Sequence, residues 1–194
     1  MEISEKIYLV NREQWRKWLE ENYSTAKDIW LIYYKKNSGK PRIPYNDAVE
    51  EALCFGWIDS TVKAIDDKCF AQRFSPRRKN SQLSETNKER VRQLVKRGRM
   101  TAAGLESIRQ HINEDASLED HTSLFDAFEI PEDILHALKD DPDVWKNFNR
   151  FPESYKRVRI GWIHSSRVRP EVFTQRLNYF ISMTRKNKTF GMVK

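Results

Sequence analysis

Residues 51–108 read EALCFGWIDSTVKAIDDKCFAQRFSPRRKNSQLSETNKERVRQLVKRGRMTAAGLESI, and their pattern decides the fold class. Ala52, Leu53 and Phe55 finish the apolar side of a helix that begins near Tyr45, and Gly56 is its natural stop. Trp57 to Ile65 then predicts a strand and Cys69 to Phe74 its antiparallel partner, with Asp66-Asp67-Lys68 as the turn. In the second strand Phe70, Gln72 and Phe74 share one face, while Cys69, Ala71, Arg73 and Ser75 share the other. Pro76 ends the pairing because it has no N–H to donate. Ser84 caps a helix running to Arg97, Gly98 closes it, and Thr101 caps the next.

The flanks extend this pattern in both directions. Upstream, Asn11 and Gln14 form a capping pair for a helix carrying Trp15, Trp18 and Leu19 on one face. Ile29 to Tyr34, IWLIYY, predicts a central strand, and Gly39, Pro41 and Pro44 break the loop after it. Downstream, 114–122 is acidic and nearly free of apolar residues. Beyond it only helical stripes remain, opened near Pro131, Pro142, Pro152 and Pro170. The expected class is α+β: a small antiparallel sheet with packed helices, followed by a helical C-terminal part. The expected organisation is an α+β domain over 1–113, an acidic linker over 114–122 and a helical subdomain over 123–194.

Six Trp, seven Tyr and ten Phe in 194 residues exclude a disordered chain. No apolar run approaches the roughly 20 residues of a membrane span. The opening MEISEKIYLV lacks the basic and apolar regions of a signal peptide, so a cytoplasmic location is expected. Cys54 and Cys69 lie in apolar company and read as buried free thiols. The net charge of +7 points to anionic partners. It is unevenly spread: basic from Lys68 to Arg109, acidic from Glu114 to Asp143, and basic again from Lys146. Arg159 and Arg176 are expected to bridge to the acidic segment; the alternative is a stacking and phosphate surface around Trp162.

The chain carries no nucleophile elbow, P-loop, dinucleotide fingerprint or HExxH, and its four histidines and two cysteines have no ligand spacing. No cofactor and no metal is expected. Asp59 is the best candidate for a catalytic group, as a general base or as the partner that orients an arginine. The alternative is a structural carboxylate paired with Arg73 across the hairpin. Arg73, Arg77 and Arg78 offer planar forks of donors suited to carboxylate or phosphate. Ser60, Ser81, Ser84 and Asn87 complete the candidate ligand-binding set, with amides at a helix start to assist. The competing reading is a solvated basic loop with Ser84 as an ordinary cap.

GWIDS, RFSPRR, S-x-x-S-x-x-N and GRMTAAG, in this order and spacing, resemble the YdeI/OmpD-associated (bacteriocin-protection) family. One departure is Leu83, where the resemblance leads one to expect Trp. The resemblance implies a protein that binds a small anionic ligand in an arginine-lined pocket, with a role in resistance to antimicrobial peptides or stress. It assigns no reaction. The alternative function is sequence-nonspecific nucleic-acid binding through the two basic stretches, separable by its steep salt dependence.

Overall fold

The computed structural model describes residues 3–191 and shows the α+β class. Helix α1 (Arg12–Asn22) starts where the capping pair places it. Asn11 accepts from the Gln14 amide at 2.9 Å, and the Gln14 side chain accepts from the Val10 amide at 3.0 Å. Among the described residues three strands follow the expected hydrophobic runs, β2 (Ile29–Tyr34), β3 (Trp57–Ala64) and β4 (Cys69–Pro76), and a fourth, β1 (Lys6–Ile7), lies where no strand was expected. They pair in the order β1-β2-β4-β3. The two-residue β1 runs parallel to β2, while β2, β4 and β3 form an antiparallel sheet.

Register assigns the faces. Ile29 lies opposite Phe74, Leu31 opposite Gln72 and Tyr33 opposite Phe70, so these six share one side of the sheet. Trp15 and Leu19 of α1 and Val49 and Leu53 of α2 (Tyr45–Cys54) belong to the same buried core. Burying each such side chain contributes on the order of 1.5–3 kcal/mol. Between β3 and β4 the pairing steps from Asp59 opposite Phe74 to Val62 opposite Gln72. One extra residue on β3 forms a bulge, which leaves Asp59 and Val62 on the Gln72 face although they are an odd number apart.

The chain divides into two compact units, Met1–Gln82 with Arg90–Phe125, and Leu83–Glu89 with Asp126–Lys194. Helix α3 (Glu85–Lys96) contributes residues to both. In the first unit Glu51 is fully buried and accepts from Arg12, Arg16 and Arg99. Burial would push its carboxyl up, but the three guanidinium groups outweigh that and hold it below the usual range. Helix α4 (Ala102–Ser107) locks onto the end of α2. The Thr101 hydroxyl donates to the Cys54 carbonyl at 2.5 Å, and a Cβ on Gly104 would lie 2.2 Å from that same oxygen.

The second unit packs α5 (Glu132–Lys139), α6 (Pro142–Arg150), α7 (Glu153–His164) and α8 (Pro170–Arg185) around Ile134, Leu138, Phe148, Tyr155 and Phe180. The expected bridges from Arg159 and Arg176 to the acidic segment do not form. Arg167 reaches Asp133 at 2.6 Å and Arg185 reaches Asp141 at 2.8 Å instead. Arg159 and Arg176 point inward on their helices and lie over aromatic rings, where a delocalised cation can stack. Cys54 and Cys69 are buried and free. Among the described residues no helix is long and apolar enough to cross a membrane.

Candidate functional site

The site is organised by the abrupt change of direction after α2. Gly56 has φ +76°, which side chains disfavour, and its missing Cβ would stand 2.8 Å from Ser107 Cβ of α4. Its carbonyl accepts from the Arg77 amide at 2.8 Å, which brings the end of β4 beside the start of β3. The result is a cavity of about 680 Å³. Phe55, Trp57 and Pro76 supply apolar wall, Ala103, Glu106 and Ser107 come from α4, and Lys79, Arg109 and Gln110 join Glu106 at its polar side.

Arg77 lines this cavity and is only 9% exposed. Its Nη2 donates to the Gln82 carbonyl at 2.8 Å and to the Ser81 carbonyl at 3.3 Å. Its Nε and Nη1 are buried with no acceptor. No carboxylate pairs with it among the described residues, and burial lowers its pKa from the ordinary arginine value. A desolvated guanidinium with spare donors is a costly arrangement for a folded chain and a favourable one for an incoming anion. The loop that follows is held in place: Gln110 donates to the Lys79 carbonyl, and His111 Nε2 donates to the Ser81 carbonyl at 3.0 Å.

The other predicted site residues are distributed differently. Arg73 alternates to the face opposite Asp59 and pairs with Asp28 at 2.8 Å. That contact, with a hydrogen bond from Ser4 as the larger cause, holds the Asp28 carboxyl low. Asp59 and Ser60 line a separate cavity, where Asp59 accepts from Tyr45. Arg78 is exposed, and its carbonyl accepts from the Ser81 hydroxyl at 2.8 Å. Ser84 and Asn87 fall in the second unit, where the Ser84 hydroxyl accepts from the Asn87 amide at 3.3 Å and caps α3. Leu83 is buried. Sequence reasoning missed Phe55, Trp57, Lys79 and Gln110 as companions of Arg77. The Gly56–Arg77 and Gln110–Lys79 hydrogen bonds bring them together, and neither has a one-dimensional signal.

A family model described as a domain of unknown function (DUF8412) matches residues 7–107, more than half of the chain. The chain belongs to that family. A second family model, described as Bacteriocin-protection, YdeI or OmpD-Associated, matches residues 127–187 and bears out the resemblance in the C-terminal helices. The cavity around Arg77 draws most of its walls from the stretch matched to the domain of unknown function. Neither a curated protein nor a solved structure matches the chain.

Proposed function

We propose that this protein binds a small anion bearing an apolar body, with the anionic group on Arg77 and the body against Phe55, Trp57 and Pro76. The observation that carries this reading is the buried Arg77 guanidinium, whose Nε and Nη1 have no acceptor and which lines a cavity of about 680 Å³. That volume lies inside the roughly 300–1,000 Å³ usual for small-molecule sites. At the polar side Arg109 is paired with Glu106 at 3.5 Å, and Lys79 adds the positive charge that favours entry of an anion. The match to a family described as bacteriocin-protection supports resistance to antimicrobial peptides as the setting of this binding.

Thermal shift of the full chain with benzoate, phenyl phosphate and sulfate tests the reading. The aromatic anions should raise the melting temperature of the parent more than sulfate does. Arg77→Gln should weaken their binding by about 1.5–3 kcal/mol, the range of a charge-assisted hydrogen bond. No anion-dependent shift in the parent, or an equal shift in the variant, overturns the proposal. A host lacking the gene can then be complemented with parent or Arg77→Gln and challenged with a bacteriocin. Equal survival would separate the pocket from resistance.

A further inference from the structure

The cavity that contains Asp59 is distinct from the one at Arg77 and has its own unsatisfied chemistry. It measures about 380 Å³ and is built on the helix-facing side of the sheet. Tyr33 of β2, Phe70 and Gln72 of β4 and the bulged Asp59 of β3 reach it by register. Tyr45, the first residue of α2, and Arg42 from the preceding loop complete it.

Three groups there retain bonding capacity. Asp59 spends only Oδ2, which accepts from the Tyr45 hydroxyl at 2.8 Å and from Gln72 Nε2 at 3.3 Å. Its Oδ1 accepts no hydrogen bond among the described residues. Tyr33 is 2% exposed, yet its buried hydroxyl has no partner. Arg42 donates Nη1 to the Tyr34 carbonyl at 3.1 Å, and its guanidinium lies 6.0 Å from the centroid of the Tyr33 ring. No carboxylate pairs with Arg42 among the described residues. Burial raises the Tyr33 phenol, and burial together with the bond to Asp59 pushes Tyr45 up to about 12. Both phenols are therefore neutral donors at physiological pH.

A carboxylate and a guanidinium thus line one cavity without bonding to each other. A ligand carrying a single charge would meet one of them and oppose the other. A ligand carrying both charges would satisfy the two together. The same cavity has a flat apolar wall, since the Tyr33 and Phe70 rings that line it stack at 5.3 Å with an interplanar angle of 6°.

We propose that this cavity binds a zwitterion of amino-acid size, its ammonium on Asp59 Oδ1, its carboxylate on Arg42 and the Tyr33 hydroxyl, and its side chain on the Tyr33–Phe70 wall. This site is independent of the Arg77 reading and stands if that reading fails.

Calorimetric titration of the full chain with glycine, L-leucine and L-phenylalanine tests it. 2-Phenylethylamine, which lacks the carboxylate, and 3-phenylpropionate, which lacks the ammonium, are the single-charge controls. The same titrations in Arg77→Gln remove any carboxylate binding that belongs to the other cavity. L-Phenylalanine should bind about tenfold or more tightly than either control, the size of one lost charge-assisted bond. Asp59→Asn should weaken L-phenylalanine by a similar factor and leave 3-phenylpropionate unchanged. Arg42→Gln should spare 2-phenylethylamine. Failure of all three amino acids to bind the parent overturns the proposal, as does equal binding of a single-charge control. The ligand comparison needs no substitution at this site, so it decides the matter even where a variant misfolds.

Discussion

Arg77 in the first unit and Arg159 in the second are each 9% exposed, and neither meets a carboxylate among the described residues. Burial lowers the pKa of both. Their surroundings differ. Arg159 lies over three rings, Phe190 at 4.9 Å, Tyr155 at 5.6 Å and Trp162 at 5.9 Å, so aromatic faces take the place of water. Arg77 has two backbone carbonyls on one nitrogen and a cavity beside it. Glu51 supplies the reference case, a buried charge matched inside the protein by three arginines. A buried charge answered by the chain's own groups supports the fold, and one left with unused donors beside a cavity is the group that the proposed anion would meet.

The sharpest way to break this contrast is to remove the reference. Glu51→Gln leaves Arg12, Arg16 and Arg99 facing a neutral amide and should cost about 3–5 kcal/mol in urea unfolding. The carboxyl is held below its ordinary 4.5 in the folded state. Its contribution is therefore present above about pH 4.5 and is lost as pH falls through the lower folded value. Parent stability should decline in acid more steeply than that of Glu51→Gln, and parallel pH profiles would contradict the role given to this carboxylate.

Arg159→Ala should cost about 2 kcal/mol through lost stacking and lost stem packing, with no change in anion binding. An anion-dependent melting shift that vanishes in this variant would make Arg159 a ligand residue and erase the contrast. Leu83→Trp, which restores the residue expected from the resemblance, should cost about 1.5 kcal/mol because position 83 is buried and the larger ring overpacks it. Its effect on benzoate binding should be negligible by calorimetry. Arg77→Gln should show the smallest stability effect: unchanged or raised by up to about 1 kcal/mol without anion, since a desolvated charge is removed. A clear loss of melting temperature in anion-free buffer would class Arg77 with Arg159.

Much of the fold was legible in residues 51–108. The β-rich runs, the Asp66 turn, Gly56 and the caps at Asn11, Ser84 and Thr101 all act through local backbone chemistry, and these elements formed where they placed them, except that β4 continues through Pro76, which lies opposite Trp57 instead of ending the pairing. The candidate site was less legible. By simple counting from the turn Asp59 and Arg73 fall on one face of the hairpin, two residues apart on the diagonal, yet the bulge puts Asp59 opposite Phe74 and leaves Arg73 on the other face, where it meets Asp28. Arg159 and Arg176 looked like partners for the acidic segment because charge is visible in sequence and the rotation of a helix about its axis is not. Arg167 and Arg185 make those pairs.

The sequence by itself determined the main helices and the three long strands, though not β1, that the chain is α+β, and that positive charge concentrates around Arg73, Arg77 and Arg78. These follow from periodicity, capping and composition, which act over a few residues. Only the tertiary structure decided that Arg77 is buried beside Trp57 and α4, that Asp59 opens a cavity of its own with Tyr33 and Arg42, and that Leu83 is covered. Those outcomes depend on register, on one bulged residue and on the close approach at Gly56. Each joins residues far apart in the chain, so no local pattern encodes them.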